Sequence, residues 1–368
     1  MNESNPFSAT YPAARAAFVR HCERAGWVHR SFVNPHARTP EGDRITLDFA
    51  WMGSRDASTV LLSISGTHGL EAHAGAAAQL NFARQLHAAA LPPDTAVAFV
   101  HGYNGFGWAH GSRANEHNVD LNRNMVSFDA PLPANALYDT AVHELFAPAQ
   151  LSADPVAQMR EEMHRLFSRH GHDAVHDAIN RGQYSRDDGV YFGGARREWS
   201  SEVLLDLVRT PLARARRVVA IDWHTGMGEY GETFFICWHT RSEARFRNAC
   251  RWWGDRNLLD DSGYSDALRP SYQGIVMNEL DRAFAAQGCE LTGVVIEFGT
   301  YEPDQVEAGI MIDRALRHGA GAIPAGRVAA QRALMLETFN PDDRRWRDRV
   351  AERSLSIYQA ALAGLRET

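Results

Sequence analysis

Apolar, β-branched runs alternate along this chain with segments whose apolar positions recur at helical spacing. The runs predict strands at 45–52, 59–65, 95–102, 217–224, 233–238 and 293–299. The helical patterns cover roughly 71–90, 135–180 with a break near Pro155, 241–258, 276–287, 304–319 and 341–365. Several strands are apolar nearly throughout, which is typical of strands covered on both faces, so the alternation predicts an α/β sandwich with a mixed or mostly parallel sheet.

Polar residues capable of chemistry stand where four of the predicted strands end: His68, His101, His224 and Glu297. In open α/β sheets, ligand sites collect at the carboxyl ends of the strands. Irregular stretches rich in Gly, Asn, His and Arg lie at 101–131, 181–200 and 222–232. Because long irregular segments of compact domains are often functional, we expect a site at this edge of the sheet.

The overall composition excludes several classes of protein. The chain has 368 residues, of which 45% are hydrophobic, so it can bury a core without disulfides. Its four cysteines are scattered without a CxxC pair, and no apolar run approaches the roughly 20 residues of a membrane span. The net charge is -7, which gives no case for nucleic-acid binding. We therefore expect a cytoplasmic protein that contacts neither membranes nor nucleic acids.

All 38 basic residues are arginine, and lysine does not occur. This excludes Schiff-base catalysis, attachment of pyridoxal phosphate and the lysine of a phosphate-binding loop. Acid–base chemistry then falls to histidine, carboxylate, cysteine, tyrosine or a metal-bound water.

The stretch GTHGLEAHAG (66–75) contains two histidines and a glutamate at the junction between a predicted strand and a predicted helix. His68 and Glu71 are spaced i and i+3, which puts both on one face of a first helical turn. His73 points elsewhere, so we interpret His68 and Glu71 as metal ligands. The alternative is that Glu71 only favours the helix N-terminus and that His68 is an ordinary loop histidine.

A catalytic zinc site usually has three protein ligands and an open position for water. His224, in IDWHTGMGEYG, is the best third candidate because it closes a strand before a glycine-rich turn. Asp222, two residues earlier, is a candidate for orienting an imidazole. The competing histidines are His101, His110, His117 and His239, of which His101 is the strongest because it also ends a strand.

Two further segments offer groups for a substrate. In ANEHNVDLNRNM (114–125), Asn122 and Arg123 supply amide donors and a guanidinium fork suited to a carboxylate. Arg113 lies ten residues upstream of Arg123, where an exposed arginine is the simpler explanation. Glu297 interrupts an otherwise apolar strand, VVIEFG, where a carboxylate is costly to bury unless it is paired or catalytic. Beside a metal-bound water it could take up and return a proton.

Four motifs, GTHGLE, NVDLNRN, DWHTG and VIEFGT, occur in the order seen in the zinc carboxypeptidase-like superfamily, which the chain therefore resembles. Relatives in that superfamily include aspartoacylase and succinylglutamate desuccinylase. The chain is most similar to a poorly characterised bacterial branch of that superfamily, which shares the sequence segment around 180–200. The resemblance runs from about 45 to 305.

The resemblance implies a role for each matching residue. One zinc ion would be held by His68, Glu71 and His224, with Glu297 as general base and acid. Asn122 and Arg123 would grip a substrate carboxylate, Arg113 would polarise the scissile carbonyl, and Tyr272 would match a mobile substrate-binding tyrosine. The implied fold is a three-layer α/β/α sandwich around a mixed, mostly parallel eight-stranded sheet. The implied organisation is a single zinc-hydrolase domain over 1–368 with a helical C-terminal segment at about 304–365.

The implied function is a zinc-dependent hydrolase of the carboxypeptidase type. It would cleave an amide bond next to a carboxylate-bearing group in a small molecule or a short peptide. One alternative is an N-acyl amino acid deacylase, and another is a zinc-binding relative that has lost catalysis. A serine hydrolase is disfavoured because no GxSxG motif occurs. The oligomeric state is not predicted.

Overall fold

The computed structural model describes residues 5–254, 258–259 and 270–366. Its centre is one sheet, whose strands follow the spatial order β1-β2-β4-β3-β5-β8-β6-β7. The strands are β1 Val28–Arg38, β2 Arg44–Gly53, β3 Thr59–Ser65, β4 Thr95–His101, β5 Arg217–Gly226, β6 Thr233–Cys237, β7 Leu258–Leu259 and β8 Glu290–Gly299.

The sheet is mixed, as predicted, but it is not mostly parallel. The strands β4, β3, β5 and β8 run parallel to one another in the middle of the sheet. The pairs β1–β2, β2–β4 and β6–β8 are antiparallel, so half of the six pairings among the seven longer strands are antiparallel. The expected count of eight is reached only with β7, which contributes two residues beside β6. The prediction of a mostly parallel sheet was wrong because the antiparallel pairs lie at the two edges of the sheet. The sequence pattern between those strands does not indicate in which direction they run.

Helices cover both faces of the sheet and so form the outer layers. They are α1 Tyr11–Ala25, α2 Ala72–Gln85, α3 Gly105–His110, α4 His143–Phe146, α5 Pro155–His170, α6 His172–Asn180, α7 Trp199–Arg209, α8 Ala244–Trp253, α9 Val276–Ala285, α10 Pro303–His318, α11 Val328–Phe339 and α12 Arg344–Arg366. One core joins α1, α2, α8 and α12 to the sheet, and the opposite core joins α7 and α9 to it. A third core is formed by α5, α6, α10 and α11 and contains no residues of the strands.

The strands predicted from apolar runs are confirmed, and the misses have physical causes. All seven residues of β3 and of β4 are buried, which is why their runs are mostly apolar. The edge strand β1 was not predicted, because it is mostly exposed and mostly polar and so lacks an apolar run. The predicted break near Pro155 is confirmed, since Pro155 starts α5, but the pattern over 135–180 also divides at Gly171, which separates α5 from α6. The helices α1, α3 and α7 were not predicted, and α11 falls within the expected helical C-terminal segment.

The parallel middle of the sheet brings the candidate residues together. His224 on β5 is in register with Glu297 on β8, and the chain leaves β3 for the segment that carries His68 and Glu71. Behind this edge, the indole Nε1 of Trp223 donates to the hydroxyl of Tyr358 on α12 at 2.7 Å. The helix α12 thus supports the strand that holds His224. Among the described helices, none has the length and apolar character needed to cross a membrane.

Candidate metal centre and catalytic site

The loop after β3 is shaped by a close approach of two backbone segments. Gly66 has a φ of 77°, and a 3-10 turn spans Gly69–Glu71. A Cβ atom on Gly69 would lie 2.0 Å from the backbone carbon of Gly107 in α3, so only glycine fits there. This contact holds the turn against α3 and places His68 and Glu71 on the same side of it.

The side chains of His68, Glu71 and His224 converge on a common point. His68 Nδ1 lies 2.9 Å from Glu71 Oε1, and His224 Nδ1 lies 2.9 Å from Glu71 Oε2. The two Nδ1 atoms are 3.2 Å apart. All three residues are buried. Two imidazole nitrogens and a carboxylate that converge at these distances form a group that could hold a metal ion, and this donor set suits zinc.

Each imidazole has a carboxylate at its outer nitrogen. His68 Nε2 lies 3.1 Å from Asp120 Oδ1, and His224 Nε2 lies 3.0 Å from Asp222 Oδ2. Asp222 also accepts a hydrogen bond from the hydroxyl of Thr67 at 2.7 Å. Such carboxylates fix the orientation of metal-binding histidines and direct their inner nitrogens toward the ion. Sequence reasoning identified Asp222 but missed Asp120, although Asp120 lies within the NVDLNRN motif.

The charges of the cluster shift the pKa values of its members strongly. Burial raises the pKa of Glu71, but His68 and His224 outweigh it and hold that pKa below its usual range. Burial lowers the pKa of His224, but the carboxylates of Asp222 and Glu71 raise it well above the ordinary value. The cluster is therefore a set of compensated buried charges that favours a positive charge at its centre.

Glu297 lies beside this cluster on β8. Its side chain is buried, and the backbone N–H of Met227 donates to its Oε2 at 3.4 Å. Burial raises the pKa of Glu297 to about 7, opposed by the charge of His224 and reinforced by that of Glu71. A carboxyl group with a pKa near neutrality can both accept a proton and return it at physiological pH.

Arg113 reaches the cluster from the loop after α3. It donates from NH1 to Glu71 Oε1 at 2.8 Å and from NH2 to Asp120 Oδ2 at 3.3 Å. Its own backbone N–H donates to Asp313 Oδ2 at 2.7 Å, which anchors the loop on α10. Arg113 is thus a partly buried member of the site, with its side chain 13% exposed, and not the exposed arginine of the simpler explanation.

Asn122 and Arg123 lie on a 3-10 turn, Leu121–Arg123. Asn122 Oδ1 accepts from the N–H of Val276, which joins the turn to the start of α9. Arg123 donates from Nε and NH2 to the carbonyl of Asn180 and from NH1 to the carbonyl of Asn122. These bonds use three of the five guanidinium N–H groups, so one remains on each terminal nitrogen, the arrangement that a carboxylate accepts bidentately.

Two tyrosine rings flank Arg123. Its Cζ lies 5.4 Å from the ring centre of Tyr272 and 5.5 Å from that of Tyr191. The Tyr191 ring also lies 5.2 Å from the Cζ of Arg113, so it stands between the two arginines. Tyr191 has a φ of 55°, a left-handed conformation that costs a tyrosine roughly 1 kcal/mol or more and often marks a functional site.

The remaining histidines have other partners. His73 Nδ1 contacts the carbonyl of Ser8, and its Nε2 accepts from the indole of Trp108. His101 stacks on Phe18 with the ring centres 4.0 Å apart. The competitors His110, His117 and His239 contact the carbonyl of Arg38, the carboxylate of Glu198 and the N–H of Gly293, respectively. Among the described residues, only His68, Glu71 and His224 form a cluster of metal-ligand type.

The chain belongs to the family described as "Protein of unknown function (DUF2817)", whose model matches residues 7–353. A search among curated proteins found no match.

Solved structures that resemble the chain include a protein of Shewanella denitrificans provisionally described as a metallopeptidase. That protein is 15% identical with a TM-score of 0.44, over 86% of this chain and 96% of its own. Carboxypeptidase A of Helicoverpa armigera is 13% identical with a TM-score of 0.44, over 94% of this chain and 73% of its own. A succinylglutamate desuccinylase of Silicibacter is 14% identical with a TM-score of 0.41, over 80% and 67%. Similarities at this level do not assign an activity to this chain.

Proposed function

We propose that this protein is a zinc-dependent hydrolase that cleaves an amide bond next to a carboxylate-bearing group. The observation that carries the proposal is the convergence of His68, Glu71 and His224 beside the buried Glu297. His68 Nδ1, His224 Nδ1 and the Glu71 carboxylate would hold one zinc ion. When bound, the ion would supply a Lewis acid for the scissile carbonyl and lower the pKa of a water molecule toward about 7.

In this proposal the residues of the chain divide the remaining work. Glu297 takes the proton from the attacking water and later gives it to the leaving nitrogen, for which a pKa near neutrality is suited. Arg113 contributes positive charge where the carbonyl oxygen becomes negative. The two remaining N–H groups of Arg123 bind the substrate carboxylate, with Asn122 beside it and Tyr272 on the guanidinium face.

The burial of the site favours small substrates over long peptides. His68, Glu71, His224, Asn122, Arg123 and Glu297 are each at most 8% exposed. Tyr191 and Tyr272 cover Arg123. For this reason an N-acyl amino acid deacylase is kept as the second candidate. A zinc-binding protein without catalysis would have no use for a buried proton carrier at Glu297.

The test is to measure metal content together with hydrolysis. The purified protein is assayed by elemental analysis and then against a panel of dipeptides and N-acyl amino acids, with and without a chelator. We expect about one zinc per chain and hydrolysis that the chelator abolishes and zinc restores. Hydrolysis that survives complete removal of the metal would refute the proposal.

A further inference from the structure

Glu307, near the start of α10, is a carboxyl group that the proposed reaction does not use. The hydroxyl of Tyr191 donates to its Oε2 at 3.3 Å, a long hydrogen bond. Within the described ranges, no arginine or histidine nitrogen forms an ion pair with it. An ionised carboxylate offers about four acceptor positions, so most of its capacity is unused.

Glu307 lies at the border of the proposed catalytic site. It is joined through Tyr191 to both arginines of the site, since the Tyr191 ring lies between Arg113 and Arg123. The preceding residue, Val306, comes within 3.6 Å of the position that a Cβ on Gly226 would occupy, two residues after His224. Tyr191, whose hydroxyl contacts Glu307, packs its ring 5.2 Å from the Cζ of Arg113, and the charge of Arg113 lowers the pKa of Glu307.

The surroundings of Glu307 leave its charge without a direct partner. Burial raises the pKa of Glu307 to about 7, although the side chain keeps partial exposure toward solvent. Arg113 lowers that pKa from a distance, but its terminal nitrogens are directed to Glu71, Asp120 and His68. A carboxyl group of this kind is stabilised in its charged form by a cation that enters with a ligand.

We propose that Glu307, held by Tyr191, binds a primary ammonium group of the substrate. This group would lie across the scissile amide from the carboxylate that Arg123 binds. The substrate class is then a short zwitterion with a free amine, such as a dipeptide, in preference to an N-acyl amino acid. The inference rests on the proposed function, because it takes from that function the position of the scissile amide between the two charged ends of the substrate.

A role for Glu307 in folding alone is separable from recognition of an amine. Glu307→Gln keeps an oxygen that accepts from the hydroxyl of Tyr191, but it removes the negative charge. If Glu307 only orients Tyr191, glutamine replaces it and ligand selectivity does not change. If Glu307 binds an ammonium group, the affinity for amine-bearing ligands falls and that for their amine-free analogues does not.

The experiment measures binding, so that it does not depend on turnover. Zinc-loaded Glu297→Gln protein is titrated by calorimetry with L-alanyl-L-alanine and with N-propionyl-L-alanine, which lacks only the amine. We expect the dipeptide to bind at least about 10-fold more tightly, because a hydrogen bond between charged groups is stronger than one between neutral groups. When Glu307→Gln is added, the affinity for the dipeptide should fall by about 10-fold or more. The affinity for the propionyl compound should stay within about threefold of its value in the parent protein.

A matched control is Glu352→Gln, on the exposed surface of α12, which should change neither affinity. Equal weakening of both ligands by Glu307→Gln, no preference for the dipeptide in the parent protein, or no binding of either ligand at millimolar concentration would each overturn the inference. If the preference is present but the metal-loaded wild type hydrolyses neither compound, the proposed function fails and the amine site stands.

Discussion

His224 and Glu297 stand in register on neighbouring parallel strands, β5 and β8. The parallel pairing fixes the distance between a metal-ligand candidate and a buried carboxyl group through the backbone of the sheet. The position of Glu297 therefore does not depend on a mobile loop. Rigid elements of this kind hold reacting groups more precisely than loops do.

Replacing Glu297 with glutamine tests the separation of metal binding from proton transfer. Glutamine has nearly the same shape but cannot take up a proton. We expect zinc content equal to that of the wild type and a loss of at least about 100-fold in kcat, the usual contribution of a general base. Glu290→Gln, at the exposed start of the same strand, should keep full activity. Substantial residual activity in Glu297→Gln would rule out this residue as the base.

Removing one imidazole tests the metal centre itself. His224→Ala leaves two of the three proposed ligands, which is too few for a stable zinc site. We expect elemental analysis to find less than about a tenth of the zinc bound by the wild type under the same dialysis. The control is His87→Ala, whose side chain is exposed. Full zinc occupancy in His224→Ala would show that the ligands lie elsewhere.

The contact between Gly69 and Gly107 predicts an effect at a position without functional groups. In Gly69→Ala, the methyl group would meet the Gly107 backbone at 2.0 Å, so the turn carrying His68 and Glu71 must shift. We expect a lower melting temperature and zinc affinity reduced by about 10-fold or more. Gly326→Ala is the matched control, since nothing lies within 4 Å of its added methyl group. Wild-type zinc affinity in Gly69→Ala would contradict this account of the loop.

The raised pKa of Glu307 predicts a pH-dependent difference in stability. A carboxyl group whose pKa is about 7 when folded and near 4.5 when unfolded favours folding below pH 4.5. That contribution disappears as the pH rises through 7. Glutamine stays neutral throughout, so Glu307→Gln should melt about 1–3 °C above the wild type at pH 8. The gain should shrink toward pH 5.

The measurement for Glu307→Gln is thermal unfolding in the presence of a chelator, at intervals from pH 5 to pH 8. A metal-free sample separates this effect from zinc binding. Glu352→Gln serves as the exposed control and should show no pH-dependent difference. A difference that is constant across the range would mean that the ionisation of Glu307 is not its source.

Sequence reasoning located most of the candidate site because the groups follow or close buried strands. His68 follows an apolar run, His224 closes one and Glu297 interrupts one, and such positions are visible without a structure. Asp120 and Glu307 were missed for the opposite reason. Asp120 lies in an irregular stretch full of polar residues, and Glu307 lies in a helix where a glutamate is ordinary.

The fold was predictable to the same extent and for the same reason. Buried strands such as β3 and β4 can be predicted from their apolar composition, whereas the exposed edge strand β1 cannot. The direction of the strands at the edges of the sheet depends on the connecting segments, whose sequences show no hydrophobic periodicity. The left-handed conformation of Tyr191 likewise has no local signal, because glycine or asparagine would be the expected residue there.

The hydrogen bond between Trp223 and Tyr358 ties the last helix to the centre of the molecule. Tyr358 also contacts the hydroxyl of Ser63 on β3, so one phenol group braces both strands that lead to the metal-ligand candidates. We therefore expect that a premature stop codon before α12 would not give a shorter folded protein. It would uncover the indole behind His224 and leave an apolar surface that promotes aggregation and proteolysis.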